Sequence, residues 1–297
     1  MNLPAPRLTV HAALFTVAVL FSANYVISKL GMREFHPLTF AWLRVAASAL
    51  VLWVVARREP AVTPEDRNRI VGFAVLGVVI NQCLFLAGLS LTTVPVAAVL
   101  IVTIPVFALA AAIALGKERP TVQKIGGIAL AAFGALLVVG GEGLVGSARS
   151  VAGAVMIVIN CLSYALYLVL SKPMMARVSP KQVVARMFAF GAGLMLPIAA
   201  VPLWREQWSD IPPRAWLALA LVVAGPTVAA YLLSAWALRH AESSLVAAYT
   251  YLQPVLASLM GALFLGDEIH GIVLVAAVLI FAGVALAGRA PDAPVVE

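Results

Sequence analysis

The fragments "YVISK" at residues 25–29 and "LVLSK" at residues 168–172 decide the fold of this chain. Each fragment ends an apolar stretch with the dipeptide Ser-Lys, and the two stand 143 residues apart. At the same offset Pro37 corresponds to Pro180, so the similarity extends beyond one short match. This pattern indicates that the chain contains a second copy of itself.

Further matches extend the repeat towards the C-terminus. The tripeptide "VAA" at 96–98 recurs at 246–248, and "GKE" at 116–118 recurs as "GDE" at 266–268. The offset between the copies drifts along the chain, which is typical of an old duplication with later insertions. Positions in the two copies therefore correspond at a constant offset only over short segments.

The composition places the chain in a membrane. Of its 297 residues 63% are hydrophobic and only 11% are charged, and the mean hydropathy is +1.03. Soluble domains carry about 25% charged residues and about 45–50% apolar residues. The lipid bilayer is thus the expected surrounding, and the net charge of +7 indicates cytoplasmic loops rather than nucleic-acid binding.

Apolar segments long enough to cross a bilayer recur along the whole chain. A spanning helix needs about 20 mainly apolar residues, and the segments between turn and charge signals predict an all-α polytopic membrane protein. The ten predicted spans are 10–30, 38–56, 69–89, 93–115, 122–140, 151–172, 181–203, 215–238, 243–266 and 270–288.

Five spans in each copy give the copies opposite orientations. An odd number of spans makes each copy enter and leave on different sides, so residues 10–140 form a first half and residues 151–288 an inverted second half. Inverted repeats commonly build transporters that hold their substrate at the repeat interface. We therefore expect a 5+5 inverted repeat around a central cavity.

Lysine and arginine predict the orientation. Thirteen of the 20 Lys and Arg residues fall on the side that holds the N-terminus and five fall on the opposite side. Cytoplasmic loops carry the excess of these residues. Both tails, residues 1–9 and 289–297, are expected in the cytoplasm, which puts Lys29 near the outer face and Lys172 near the inner face.

The order of these features resembles the EamA branch of the drug/metabolite transporter superfamily. The resemblance rests on the five-plus-five spans, the span-ending lysines at 29 and 172, the Pro…Arg starts of the second and seventh spans, and "LGKERPT" and "LGDEIHG", and it covers residues 10–288. Within that branch the chain is most similar to bacterial aromatic amino acid exporters. The resemblance implies a basket-shaped carrier in the bacterial inner membrane, with a cavity lined by spans 1, 3, 4, 6, 8 and 9.

Polar side chains repeat at helical spacing along several spans. A polar group in lipid needs a partner or an aqueous cavity, so its helical phase indicates the direction that a span faces. Hydrogen bonds between helices would also explain single Ser and Thr residues. Aromatic rings with a few amides and hydroxyls suit a small amphipathic substrate. The predicted substrate-binding residues are Asn24, Tyr25, Gln82, Asn160, Tyr164, Tyr167, Tyr231 and Tyr251.

Charged residues and prolines supply candidates for a gate or an entrance. Lys29, Lys172 and Arg44 lie near predicted helix ends, where long side chains also extend to the interface without a transport role. Pro105 and Pro254 interrupt helices within the membrane, and proline breaks can serve as bends during opening. Glu118, Asp267 and Glu268 are interpreted as helix-terminal groups without a part in transport.

No acidic residue is predicted near the centre of a span. All 13 carboxylates map to loops, tails or helix ends, whereas proton-coupled exporters of cations usually need one within the membrane. We therefore expect transport down a gradient. The sequence contains no Walker-type phosphate loop and predicts neither a cofactor nor a metal site, and Cys83 and Cys161 are interpreted as packing residues.

The leading hypothesis is a carrier that exports amino acids, aromatic or otherwise amphipathic, by alternating access. The alternatives are an exchanger of anionic or phosphorylated metabolites held by Lys29, Lys172 or Arg44, and a proton-coupled drug exporter. A membrane-embedded enzyme is not expected, because the spans contain no cluster of His, Asp, Glu or activated Ser. A receptor or scaffold is disfavoured by the short loops. The only partners expected are a small-molecule substrate and the lipid bilayer. The oligomeric state is not predicted, and a monomer would suffice.

Overall fold

The computed structural model describes residues 7–145, 147–175, 177–230, 232–234, 237, 249 and 252–288. All regular structure in these ranges is helical, as the sequence predicts. The α-helices, in chain order, are α1 Arg7–Gly31, α2 Pro37–Ala56, α3 Pro64–Ala74, α4 Asn81–Leu91, α5 Val94–Ile101, α6 Ile104–Ala114, α7 Val122–Val145, α8 Ala148–Met175, α9 Pro180–Arg205, α10 Pro213–Val222, α11 Gln253–Leu265 and α12 Gly271–Gly288. A 3₁₀ turn occupies Trp208–Asp210.

Eight helical stretches within the described ranges are long and apolar enough to cross a membrane. They are Thr9–Gly31, Pro37–Ala56, Pro64–Leu91, Val94–Ala114, Val122–Gly141, Ala148–Met175, Pro180–Arg205 and Pro213–Ser234. The helices α11 and α12 are apolar but shorter as described. The chain is therefore a multi-pass membrane protein, while the sequence-predicted count of ten spans goes beyond these eight.

The third stretch begins earlier than the sequence pattern indicated. Its first turns contain the charged segment "EDRNR" at 65–69, almost all of which precedes the predicted span 69–89. The helix nevertheless starts at Pro64, because the side chain of Thr63 accepts a hydrogen bond from the backbone N–H of Asp66 at 3.2 Å. A threonine N-cap followed by proline in the first turn favours a helix start whatever the hydropathy.

Two of the membrane stretches contain a π-helical segment. Val75–Ile80 connects α3 to α4, and Val223–Ala229 follows α10. In the second segment Pro226 has no N–H to donate to the carbonyl of Val222, and the hydroxyl of Thr227 donates to that carbonyl at 2.9 Å. Segments of this kind are rare and are often found at functional sites.

The helices pack through small residues and through a buried apolar core. Helix α7 packs along α12, α2 along α9, α4 along α8, and α1 against α10 and α11. Phe35, Phe40, Leu86, Leu100 and Ile157 are among the largest fully buried side chains. This packing places α4 in contact with both α1 and α8.

Large apolar side chains cover the outer surface of the bundle. Leu50 is 73% exposed, Leu136 is 68% exposed and Val278 is 68% exposed. A water-soluble protein rarely exposes extended apolar patches. Exposure on this scale, along helices that are themselves apolar, fits a surface surrounded by lipid.

Candidate functional site

The π-helical segment Val75–Ile80 and Asn81, the residue that follows it, are joined to α8 by two partly buried hydrogen bonds. The Ser163 hydroxyl donates to the carbonyl oxygen of Leu76 at 2.8 Å, and the side-chain amide of Asn160 donates to the carbonyl oxygen of Asn81 at 2.9 Å. A π turn disturbs the regular i→i−4 ladder, so carbonyls in and beside it need other donors in an apolar environment. Asn160 is 1% exposed and is committed to this backbone contact.

Gln82 lies next to this contact and has an acceptor without a partner. Its side chain is 7% exposed, and its Nε2 donates to Oδ1 of Asn81 at 3.1 Å. Among the described residues its Oε1 makes no hydrogen bond. A buried polar atom left unpaired costs about 1–3 kcal/mol. This oxygen is therefore a place at which a donor group of a bound solute would be stabilised.

Two tyrosine rings lie on α8, the helix that also carries Asn160 and Ser163. The ring centroids of Tyr164 and Tyr167 are 5.4 Å apart, and Tyr167 also contacts Phe73 edge-on at 6.4 Å. Gly77 in the π-helical segment allows this arrangement, because a Cβ atom there would lie 2.9 Å from Cγ of Tyr167. Tyr164 is the more exposed of the two tyrosines, since Tyr167 is 7% exposed.

Helix α1 brings two further predicted residues to the same helices. Tyr25 is 3% exposed and packs edge-on against Phe85 of α4, with centroids 5.6 Å apart. Asn24 is 7% exposed, and its Oδ1 accepts a hydrogen bond from the Ser28 hydroxyl at 3.2 Å. The structure thus places Tyr25 in the packed core. Two other predicted residues, Tyr231 and Tyr251, lie outside the described residues.

The predicted gating residues differ in their surroundings. Lys29 forms an ion pair with Asp267, with 3.5 Å between Nζ and Oδ1. Arg44 is 5% exposed, and its Nε donates to the Thr227 hydroxyl at 3.1 Å in the second π-helical segment. Lys172 is exposed near the end of α8. The three cations therefore do not share one environment.

The two predicted prolines both stand at helix starts. Pro105 is the second residue of α6, and α5 ends three residues before α6 begins, so the fourth stretch is interrupted there. The break is closed locally by the Thr103 hydroxyl, which donates to the carbonyl of Leu100 at 2.6 Å. Pro254 is likewise the second residue of α11. Both prolines fit first helical turns, where their missing N–H is not needed.

A separate cavity lies at the end of the bundle that holds Lys29. Its volume is about 370 Å³, and it is lined by apolar residues of α1 and α10 with Arg33, Glu34 and Arg214 among them. None of the predicted binding residues lines it. Sequence reasoning missed this cavity, because no local pattern shows that small residues such as Ala215 and Ala218 leave space between two distant helices.

The described residues give no indication of a metal centre. No group of three or more His, Cys, Asp and Glu side chains within those ranges could hold an ion. Cys161 is fully buried and Cys83 is partly buried, and both are free thiols. The polar groups of α4 and α8 are amides, hydroxyls and tyrosine rings.

Long apolar helical stretches with buried polar groups between them define a multi-pass membrane protein, and comparison with known proteins identifies the family. The model of the EamA-like transporter family matches residues 8–140 and again residues 151–289. The chain belongs to this family, an EamA-type branch of the drug/metabolite transporter superfamily. The family prediction made from the sequence is thus confirmed.

Several relatives are similar over almost their whole length. An uncharacterized transporter of Archaeoglobus fulgidus is 25% identical, covering 93% of this chain and 96% of its own. The uncharacterized inner membrane transporter YedA of Escherichia coli K12 is 24% identical, covering 98% and 96%. A crystal structure at 19% identity covers 95% of this chain and 98% of its own with a TM-score of 0.61, which shows a shared fold.

Proposed function

We propose that this protein is an inner-membrane carrier that exports amino acids or similar amphipathic metabolites by alternating access between two inverted halves. The halves would be residues 10–140 and 151–288, each with five spans and with both termini of the chain in the cytoplasm. The observation that carries the substrate class is the unpartnered Oε1 of Gln82 on α4, the helix that packs along α8 with its two tyrosines.

The contacts between α7 and α12 support a two-fold relation of the halves. A Cβ atom on Gly127 would lie 2.5 Å from the carbonyl oxygen of Gly283, and one on Gly134 would lie 3.0 Å from that of Ala276. An offset of 149 residues converts Gly127 into Ala276 and Gly134 into Gly283. Each contact is therefore converted into the other when the halves are exchanged, as a two-fold axis requires.

The π-helical segments support the same relation. They begin at Val75 and Val223, 148 residues apart, and each lies in the third stretch of its half. Both segments receive hydrogen bonds from the opposite half. Ser163 donates to the first, and Thr227 in the second accepts from Arg44. The proposed substrate region would then lie where these segments meet the opposite half.

The chemistry of the polar groups and rings of α4 and α8 favours a neutral or zwitterionic solute with one apolar part. Small-molecule sites are mainly apolar and contain a few polar groups that fix orientation. Tyr164 and Tyr167 offer ring faces, and Gln82 offers an amide oxygen that accepts from an ammonium, amide or indole N–H. An aromatic amino acid carries both features in one molecule.

The positions of the carboxylates favour transport without a buried proton site. Among the described residues, the most buried carboxylate is Asp66 at 4% exposure, and it lies in the first turn of α3 beside Arg177. The hydrogen bond to Asp66 raises the pKa of Arg177, and the Arg177 guanidinium donates to both oxygens of the Asp66 carboxylate. A paired carboxylate at a helix start cannot readily exchange a proton for a substrate.

Proteoliposomes provide the test. Purified protein would be screened for uptake and exchange of the twenty amino acids, organic cations and sugar phosphates, with and without an imposed pH gradient. For the transported amino acid we expect Gln82→Met to raise KM about tenfold, because one hydrogen bond of about 1–1.5 kcal/mol is lost. Gln123→Met, at an exposed position of α7, is the matched control. Amino acid flux that is absent from the screen, or that disappears without the gradient, would contradict the proposal.

A second candidate is exchange of anionic or phosphorylated metabolites, and Arg44 favours it. This residue keeps a guanidinium within the membrane bundle at 5% exposure, where an anionic substrate group would be strongly attracted. The same screen separates the two candidates. Loss of sugar phosphate exchange in Arg44→Gln, with unchanged Gln82→Met kinetics, would support the anion exchanger.

A further inference from the structure

Asp267 connects three helices at the end of the bundle that holds Lys29. Its Oδ1 accepts from Lys29 Nζ of α1 at 3.5 Å, and its Oδ2 accepts from the backbone N–H of Val94 at 2.7 Å. Val94 is the first residue of α5, and Asp267 follows the last residue of α11 by two positions. The carboxylate is only 11% exposed.

The bond to Val94 supplies a cap that α5 does not make for itself. Thr93 occupies the N-cap position but makes no side-chain capping bond. The first N–H groups of a helix have no partner within it, and they carry a partial positive charge. A carboxylate from another helix satisfies one of them, so α5 is held at its start by α11.

Local structure fixes the Asp267 side chain in this position. Gly266 has φ +71° and ends α11 in the left-handed conformation, and the N–H of Asp267 returns to the carbonyl of Gly261 at 3.2 Å. Gly261 itself faces Val94, because a Cβ atom there would lie 2.9 Å from Cβ of Val94. The close approach of α11 to α5 and the position of the carboxylate therefore depend on each other.

The corresponding position at the opposite end cannot make the same contact. In the proposed repeat "GKE" at 116–118 corresponds to "GDE" at 266–268, so Lys117 stands where Asp267 stands. An ammonium group accepts no hydrogen bond, and Lys117 Nζ instead donates to the carbonyl of Val169 at 2.9 Å. At this position of the proposed repeat, only the Lys29 end has a carboxylate that can accept such a bond.

We propose that Asp267 is a gating residue that holds the Lys29 end of the carrier closed by bridging α1, α5 and α11. The proposal rests on the alternating access of the proposed function. Opening at this end requires α5 to move away from α1 and α11, which breaks the bond to Val94 and separates the pair with Lys29. The interpretation of Asp267 as a mere helix-terminal group, made from the sequence, misses this connection between helices.

The test measures access to a cysteine one residue from the gate. Ser28 is fully buried, so Ser28→Cys would be placed in a protein in which Cys83 and Cys161 are replaced by alanine. A membrane-impermeant thiol reagent is then applied to vesicles from each side separately. We expect Asp267→Ala to raise the labelling rate from the Lys29 side about tenfold, a coupling of ordinary size, and to lower the rate from the other side.

Conservative variants separate the two contacts of the carboxylate. Asp267→Asn keeps an acceptor for the N–H of Val94 but loses the ion pair with Lys29. Lys29→Met also removes the ion pair and leaves the bond to Val94 intact. Both variants should therefore raise the labelling rate by the same factor, which should be smaller than that of Asp267→Ala. Glu268→Gln and Lys117→Ala are the controls and should leave labelling unchanged. Glu268 has an 85% exposed side chain near His270, and Lys117 is the corresponding residue at the opposite end.

The outcomes separate the gate from the proposed function. Equal labelling in Asp267→Ala and the parent would overturn the gate, and so would a rise from both sides, which indicates local unfolding. Should Asp267→Ala not yield a monodisperse protein, unchanged labelling in both Asp267→Asn and Lys29→Met would overturn the gate. Amino acid flux measured in the same vesicles tests the proposed function independently, because labelling requires no transported substrate.

Discussion

The contact between α7 and α12 offers a sharp prediction about packing. A Cβ atom on Gly127 would lie 2.5 Å from the carbonyl oxygen of Gly283 and 2.8 Å from both N and Cβ of Ala287. These neighbours include backbone atoms, so no side-chain rotation relieves the overlap. Restoring an ordinary contact requires the helices to separate by roughly 1 Å, and overpacking of this kind costs about 1–3 kcal/mol.

The adjacent glycine provides a matched control. A Cβ atom on Gly126 would meet only Cδ2 of Leu286 at 3.6 Å, which is an ordinary contact. Both Gly→Ala changes lie within α7, and each gains about 1 kcal/mol of helix propensity. The propensity gain cancels in the comparison, so Gly127→Ala should be less stable than Gly126→Ala by about 1–3 kcal/mol.

Reversible unfolding of the purified protein in mixed detergent micelles measures this difference. The reciprocal change Gly283→Ala should also destabilise, because its Cβ would lie 2.6 Å from the carbonyl oxygen of Gly127. The double variant should cost less than the sum of the two, since a single separation of the helices relieves both overlaps. Equal stability of Gly127→Ala and Gly126→Ala would refute the reasoning.

Two further predictions concern the π-helical segments. Ser163→Ala should lower the free energy of unfolding by about 1 kcal/mol, because the carbonyl of Leu76 loses its donor. Ser90→Ala is the control, since it removes only a bond within its own helix. Equal losses of stability in the two variants would contradict this prediction. Thr227→Val removes the acceptor of Arg44 Nε and should cost about 1–3 kcal/mol in the same assay, while Thr227→Ser should retain most of the stability.

Much of the helical order could be predicted, because hydropathy and charge dominate in a bilayer. The second stretch was expected at 38–56 and is found at Pro37–Ala56, and the fourth was expected at 93–115 and is found at Val94–Ala114. The predicted start of the third stretch is too late, because the charges after Pro64 lower the average hydropathy there and hydropathy takes no account of the Thr63 N-cap. Helix ends depend on single hydrogen bonds that average hydropathy does not represent.

The sequence does not distinguish the surroundings of the residues predicted for the site. Helical spacing selected Asn160 and Gln82 together, yet Asn160 donates to a backbone carbonyl while Gln82 retains an acceptor. The difference arises from the π-helical segment at Val75–Ile80, whose apolar sequence contains only Gly77 as an irregular feature. Which amide is consumed by the backbone depends on the exact rotation of two helices, and no local pattern encodes that rotation.

Two ion pairs at opposite ends of the molecule show why the proposed repeat is only partly visible in sequence. Arg214 donates to Glu34 at one end, and Arg177 donates to Asp66 at the other. Offsets of 143 and 148 convert Glu34 into Arg177 and Asp66 into Arg214, so each position carries opposite charges in the two halves. A comparison of single positions counts two mismatches, whereas the pair itself is retained with its polarity reversed. An attraction depends on the product of the two charges, so reversing both leaves it unchanged. The contact can therefore persist while each residue changes, and the two halves resemble each other here in which positions pair rather than in which residues occupy them.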